Sequence, residues 1–137
     1  MKVREIVDNT IVIKVSPSTR LKDALELMTK QGTNFLIIVN DKDETIGVVT
    51  KSTILRSLAN GIKPNESLSK VIIKSVLKAD DSDDLLDVFI NMIKNNSNVA
   101  LAINGNGKVI GIVTLRDILY ALNKECETLR QVSVKPV

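Results

Sequence analysis

The sequence is poor in the residue types that build catalytic and metal centres. Its 137 residues include no histidine, no tryptophan and a single cysteine, Cys126. Intrachain disulfides are therefore excluded, and so are the usual Cys/His zinc sites. A lone cysteine without a histidine partner is no activated nucleophile, and neither paired carboxylates nor a Walker loop occur. We predict that the chain is not an enzyme and that it requires no cofactor and no metal.

Aromatic residues and long apolar runs are also scarce. Aromatics make up 2% of the chain and hydrophobic residues 44%, so aliphatic side chains must fill the core, and no aromatic platform for stacking is available. The longest apolar stretch, Phe35 to Val39, is too short to span a bilayer, and the N-terminus has no apolar run typical of a signal peptide. We expect a cytoplasmic protein without a membrane segment.

Charged residues of one sign cluster in a single acidic run, and elsewhere the charges are mixed. The formal net charge is +3, but lysine and arginine are scattered, which makes nucleic-acid binding a minor alternative. The run Asp80–Asp84 has oxygen ligands that suit a hard cation. Because Leu85 opens an apolar stripe immediately afterward and the spacing fits no EF-hand loop, we interpret the run as the start of a helix.

What the sequence does have is an internal duplication. The segment Gly47–Thr53 returns 64 positions later as Gly111–Asp117, and the copies stay in register over a long stretch, for example Leu21 with Leu85. The chemically large difference within the motif is Thr53, where the second copy has Asp117. The two copies are therefore not expected to bind a ligand equally.

Each copy has the same order of predicted elements. In the first copy, apolar residues at helical spacing follow the hydroxyl-rich stretch 16–19, which is expected to cap the helix, and Gly32 ends it. Two strand-like runs and a second helix follow, and the two strand pairs are joined by the turns 40–44 and 104–107. With Ile11–Ile13 and Val76–Leu77 as leading strands, each copy is a β-α-β-β-α unit of an α/β (α+β) protein.

The predicted boundaries are repeat 1 over 1–62, a connector over 63–67, repeat 2 over 68–125 and a C-terminal tail over 126–137. Segment 3–7 is expected to start the first unit and segment 68–73 the second. Because either half alone would bury too little surface, we expect the halves to share a core.

The motif Gly-hydrophobic-hydrophobic-Thr-x-x-Asp, preceded by an amphipathic helix and a buried strand, resembles the CBS domain, named after cystathionine beta-synthase. Two such repeats in tandem resemble a Bateman module. The resemblance implies one compact module with a pseudo-two-fold axis, and clefts between the repeats that accept AMP, ADP, ATP or S-adenosylmethionine. It also implies a homodimer as the common arrangement.

The resemblance also assigns site residues. The motif Asp would bind the ribose hydroxyls, the Thr would lie near phosphate, and apolar strand residues would flank the adenine. The positions that match in the second copy are Thr114, Asp117, Arg116, Val76, Leu77, Asn98 and Val99. A weaker second site would use Thr50, Lys51, Thr53, Val12, Ile13, Asn34 and Phe35.

Physical chemistry supports the role of Asp117 independently, because one carboxylate accepts from both cis hydroxyls of a ribose. The start of the following helix would stabilise a phosphate. A simpler interpretation stays open, in which Thr114 and Asp117 only cap that helix.

The predicted function is therefore a regulatory sensor that binds an adenosine-containing ligand, with the main site on repeat 2. The alternative is a protein-interaction or dimerisation scaffold with degenerate clefts. The expected partners are the adenine nucleotide, a second copy of the chain and a regulated protein that the sequence does not identify.

Overall fold

The computed structural model describes residues 1–7, 11–74 and 76–133, with side chains as far as Cys126. The helices and strands are, in chain order, β1 (Lys14–Val15), α1 (Leu21–Gln31), β2 (Phe35–Val39), β3 (Thr45–Thr50), α2 (Lys51–Ala59), β4 (Leu77–Asp80), α3 (Leu85–Lys94), β5 (Val99–Ile103), β6 (Val109–Thr114) and α4 (Leu115–Ser133). Two short 3-10 helices cover Val3–Glu5 and Leu68–Lys70. No helix within these residues is both long and apolar enough to cross a bilayer.

The strands of the described residues form two three-stranded sheets, ordered β1-β2-β3 and β4-β5-β6. In each sheet the first pair is parallel and the second is antiparallel. The registers match as well, since Phe35 pairs with Thr50 in one sheet and Val99 pairs with Thr114 in the other. The predicted β-α-β-β-α order and the mixed α/β class are confirmed.

The leading strands begin later than predicted. The first is Lys14–Val15 rather than Ile11–Ile13, and the second extends beyond Val76–Leu77 to Asp80. The carbonyl of Ile13 accepts a hydrogen bond from Ile37 over 2.9 Å, so pairing starts only where the predicted run ends. Contact with the central strand, and not local apolar character, therefore sets the position of the leading strand.

The chain divides into two compact units that exchange their leading segments. Thr10–Val76 forms the first-copy unit, whereas Met1–Asn9 joins Leu77–Val137 in the second-copy unit. Val3 is fully buried in the cluster of the second-copy unit, and Leu68 is fully buried in that of the first-copy unit. The expectation that segment 3–7 starts the first unit and segment 68–73 the second is wrong.

Each unit has its own buried cluster. Each exchanged segment adds apolar residues to the core of the unit that it joins. It also forms backbone hydrogen bonds with that unit. The N–H of Val3 donates to the carbonyl of Asp83 over 3.0 Å, and the N–H of Leu68 donates to that of Thr19 over 2.8 Å. Each half therefore completes its core with a segment from outside its own sequence repeat.

The two helix starts that follow the leading strands differ in their caps. No side chain caps α1, so the predicted hydroxyl cap from residues 16–19 is wrong. The carbonyl of Glu66 accepts from the N–H of Leu21 over 2.9 Å instead. At α3 the carboxylate of Asp84 accepts from the N–H of Leu86 over 2.9 Å, which confirms that the acidic run starts a helix.

The predicted chain reversals are confirmed. Gly32 ends α1 with a left-handed φ of 68°. In the turn between β2 and β3, the side-chain oxygen of Asn40 accepts from two backbone N–H groups, and Asn104 does the same between β5 and β6. The tail begins as a continuation of α4 as far as Ser133, and residues 134–137 lie outside the described part of the chain.

Candidate functional site

The motif of the second copy lies at the junction between β6 and α4. Thr114 is the last residue of the strand, and the helix begins at Leu115. The N–H of Asp117 donates to Oγ1 of Thr114 over 3.1 Å, and the N–H of Thr114 donates in return to Oδ2 of Asp117 over 3.4 Å. The pair thus caps the start of α4, as the simpler interpretation of these residues expected.

Capping leaves most of the Asp117 carboxylate available. Asp117 is exposed, and its Oδ1 accepts no hydrogen bond from the described part of the chain. The contact of Oδ2 with Thr114 is long at 3.4 Å. A carboxylate held in a fixed position with open acceptor sites is able to bind a pair of hydroxyl donors.

Asp117 also lines a cavity of about 460 Å³ that lies within the second-copy unit. One wall is a face of α4 and the other is the N-terminal segment. The lining residues are Asp117, Tyr120, Ala121 and Lys124 on the helix, with Met1, Glu5 and Ile6 opposite.

The charged groups of this cavity have both signs. Asp117 and Glu5 are acidic, and Lys124 is basic, with its Nζ 5.2 Å from the centroid of the Tyr120 ring. Glu5 also accepts a hydrogen bond from the backbone N–H of Lys2. The cavity therefore places one acceptor for hydroxyl groups, Asp117, on the face of α4 and a second acid, Glu5, on the opposite wall.

The sequence did not lead us to Tyr120 or Lys124. A signal was available, because positions 117, 120, 121 and 124 have the spacing of one helix face. Met1 and Glu5 had no such signal, since they come from the opposite end of the chain.

The same junction in the first copy has no acid. Thr50 caps α2 by accepting from the N–H of Thr53 over 3.2 Å, and the two threonine hydroxyls lie 2.8 Å apart. Lys51 is half-buried at the first position of the helix, and its N–H donates to the carbonyl of Asn34 over 2.8 Å. The first copy thus keeps the backbone geometry without a charged acceptor.

The other predicted residues of the second copy fall into two groups. Val99 pairs directly with Thr114, and the carbonyl of Asn98 accepts from the N–H of Leu115 over 2.9 Å, so both support the motif. Leu77 is half-buried in β4, and Arg116 is exposed on α4. None of these lines the cavity beside Asp117. Val76 is half-buried and belongs to the first-copy unit.

The corresponding residues of the first copy are arranged in a similar way. Phe35 is buried and pairs with Thr50, as Val99 does with Thr114. Val12 and Ile13 are half-buried just before β1. Among the described residues, no three acidic or cysteine side chains come together in a way that would hold a metal ion.

Comparison with known proteins agrees with this architecture. A relative from Methanocaldococcus jannaschii, the uncharacterized protein MJ1225, is 28% identical over 123 residues, which is 90% of this chain and 43% of the relative. The chain spans about half the length of the first curated relatives that it matches.

Two solved structures share the fold. The CBS domain pair of protein MJ0100, in complex with 5′-methylthioadenosine and S-adenosyl-L-methionine, has a TM-score of 0.69 at 22% identity and covers 91% of this chain and 98% of its own. The CBS domain protein PAE2072 from Pyrobaculum aerophilum, complexed with AMP, has a TM-score of 0.68 at 17% identity and covers 90% and 99%.

The family model of the CBS domain matches this chain twice, over residues 3–60 and 65–124. These matches include both copies of the motif and both β-α-β-β-α units. The chain therefore belongs to the CBS domain family, as a tandem pair of repeats.

Proposed function

We propose that the protein is a regulatory module that binds an adenosine-containing ligand, with its main site at the start of α4. The observation that carries this proposal is the exposed carboxylate of Asp117 at the edge of a cavity of about 460 Å³. The ligand class is supported by the two similar CBS proteins, one in complex with S-adenosyl-L-methionine and 5′-methylthioadenosine and the other with AMP.

In this proposal, Asp117 accepts hydrogen bonds from both ribose hydroxyls. Thr114 and the first turn of α4 face a phosphate, because the N-terminus of a helix favours negative charge, and the exposed Arg116 adds a cation. The residues that the family resemblance assigns to the adenine, Val76, Leu77, Asn98 and Val99, lie outside this cavity, so the proposal places only the ribose at the cavity edge.

The first copy would be the weaker site. A hydrogen bond to a charged group contributes roughly 1.5 to 3 kcal/mol. Replacing the carboxylate by the hydroxyl of Thr53, already paired with Thr50, would weaken ligand binding on the order of 10 to 150 fold.

The proposal further includes a homodimer, a regulated partner protein and a cytoplasmic location. Ligand binding would alter the partner only if the ligand distinguishes between two states of the module. In this view the protein regulates and does not catalyse.

A second candidate function is an interaction scaffold whose site binds no nucleotide. It is favoured by one observation: the mutual capping bonds of Thr114 and Asp117 explain both residues without any ligand. The two candidates differ in whether a nucleotide stabilises the protein.

The test is a thermal-shift and calorimetric panel with AMP, ADP, ATP, NAD and S-adenosylmethionine. We expect at least one of them to raise the melting temperature of the protein, and Asp117→Ala to abolish that increase. Asp87→Ala is the matched control, because Asp87 is also an exposed acid in the first turn of a helix of the same unit but lies outside the cavity. Absence of any ligand effect would favour the scaffold, whereas an effect that is unchanged in Asp117→Ala would show that the ligand binds at another site.

A further inference from the structure

Tyr120 is the most exposed of the three aromatic side chains of the protein. Phe35 is buried in β2 and Phe89 is half-buried in α3, whereas Tyr120 is 64% exposed on α4. From the composition we expected no aromatic platform for stacking, but the structure places this one ring at the cavity beside Asp117. A ring left in water at the edge of a cavity retains a large apolar surface that a ligand could cover.

The duplication shows that the core of the protein does not require a tyrosine at this position. Four residues of α4 line the cavity, namely Asp117, Tyr120, Ala121 and Lys124. The corresponding positions of the first copy hold Thr53, Arg56, Ser57 and Asn60. The apolar positions that pack the same two helices are alike, since Ile118 matches Ile54 and Leu122 matches Leu58. All four cavity positions thus differ between the copies, together with the acid of the motif, while the packing positions do not.

We infer that the ring of Tyr120 is the surface on which the base of the ligand stacks, next to the ribose bound by Asp117; this inference rests on the proposed function. Positions 117 and 120 are three residues apart on one helix, which places their Cβ atoms about 5 to 6 Å apart. This separation is comparable with that between the hydroxyl groups and the base of a nucleoside. One face of α4 therefore offers a carboxylate to the sugar and a ring to the base.

The position of Lys124 indicates which face of the ring the base uses. Its Nζ lies 5.2 Å from the centroid of the Tyr120 ring, within the range of a cation–π contact. The base stacks on the opposite face. Because every base has a π-face, such stacking supplies affinity for a nucleoside and little selectivity among bases.

The composition of the chain allows an optical test. With one tyrosine and no tryptophan, the tyrosine emission of the protein comes from Tyr120 alone. We expect AMP, ATP or S-adenosylmethionine to quench this emission, with a midpoint that agrees with calorimetric titration of the same compound. Ribose 5-phosphate, which has no base, should not quench it. Free N-acetyltyrosinamide, titrated in parallel, corrects for light absorbed by the base.

The second test uses calorimetry on variants of Tyr120. Tyr120→Ala should weaken binding of the same compound roughly 5 to 150 fold, the range expected for loss of one base–aromatic stack. Tyr120→Phe keeps the ring and should bind almost as tightly as the unmodified protein. Arg56→Ala is the matched control, because Arg56 is the exposed counterpart of Tyr120 in the first copy, and it should leave the affinity unchanged. Circular dichroism checks that each variant is folded.

The possible outcomes separate this inference from the proposed function. Binding that depends on Asp117, but neither quenches Tyr120 nor weakens in Tyr120→Ala, would overturn the inference and leave the proposed function standing. An equal loss of affinity in Tyr120→Phe and Tyr120→Ala would also overturn it, because the hydroxyl group and not the ring would then be responsible. Absence of binding by all three compounds would overturn both.

Discussion

The N–H of Asp117 donates to Oγ1 of Thr114 over 3.1 Å, at the point where β6 passes into α4. The first copy has the same bond, from the N–H of Thr53 to Oγ1 of Thr50 over 3.2 Å. The backbones of the two junctions are thus alike, and the chemical difference lies in the side chain at the third position of the helix.

This likeness predicts that Thr53→Asp creates a second ligand site. The new carboxylate would occupy the position that Asp117 has in the other copy, on a backbone that already accommodates it. We expect calorimetric titration with AMP to change from one site per chain to two. Thr53→Asn, which has a neutral acceptor of the same size, should keep one site. Two equal sites in the unmodified protein would contradict the prediction.

Gly47 is a position where the backbone leaves no room for a side chain. A Cβ atom placed there would lie 2.7 Å from the carbonyl oxygen of Ile73 and would also collide with Cγ2 of Ile72. Both N–H···O bonds between Val48 and Ile73 hold this segment in place, at 2.9 and 3.1 Å. We expect Gly47→Ala to lower the free energy of unfolding by roughly 1 to 3 kcal/mol in urea titrations.

The control for that variant is Gly105→Ala. An added Cβ at Gly105 meets nothing within 4 Å, and the residue does not have a positive φ. Its unfolding free energy should stay within about 0.5 kcal/mol of the unmodified protein. Equal effects of the two substitutions would show that close approach at Gly47 is not the cause.

The exchanged N-terminal segment makes a prediction about stability. Val3 is fully buried in the cluster of the second-copy unit. Because Val3→Ala removes two methyl groups from a closed core, we expect a loss of about 2 kcal/mol in the unfolding free energy of that unit. Lys2→Ala changes an exposed side chain in the same segment and should have little effect. Urea unfolding with residue-specific NMR signals assigns the loss to a unit.

Glu66 predicts a pH dependence of stability. The carboxylate of Glu66 accepts a hydrogen bond from the ammonium group of Lys70 over 2.7 Å and another from the backbone N–H of Lys63 over 2.9 Å. These bonds lower the pKa of Glu66 below its ordinary value of 4.5. The ionised carboxylate is thus favoured in the folded state. The ionised carboxylate therefore stabilises the folded state at neutral pH. This stabilisation is lost as the pH falls from 4.5 to below the lowered pKa of the folded state, because Glu66 then becomes protonated.

The measurement compares the unmodified protein with Glu66→Gln between pH 7 and pH 3. The unmodified protein should be slightly more stable at neutral pH, and the difference should vanish at the acid end. Because the pair is solvent-accessible, 1 M salt should shrink the difference at neutral pH. A difference that grows toward acid pH would contradict the assignment.

Local patterns in the sequence were enough for most of the fold. The buried strand β2 coincides with the predicted run Phe35–Val39, and the stripe of α1 buries Leu21 and Met28 as its spacing predicts. The Asn turns and the helix end at Gly32 likewise involve only residues that are a few positions apart in the sequence. Side-chain periodicity and turn chemistry are local properties, so one sequence reveals them.

In the candidate site, the same locality explains why the motif was found and its surroundings were not. Thr114 and Asp117 are three residues apart, and the repeated motif singles them out within the sequence alone. Their geometry is accounted for by the two capping bonds between them. The predicted neighbours Leu77 and Val99 lie outside the cavity beside Asp117, because the wall there is built from the N-terminal segment.

The sequence by itself determined the duplicated β-α-β-β-α units, the core stripes, the turns and the difference between Thr53 and Asp117. Only the tertiary structure decided that Val3 and Leu68 exchange units, that the carbonyl of Glu66 caps α1, and that Met1 and Glu5 face Asp117 across a cavity. The physical reason is that segments 3–7 and 68–73 are similar in apolar character. Apolar character alone therefore does not distinguish the two segments, and their positions involve backbone hydrogen bonds between residues far apart in the chain.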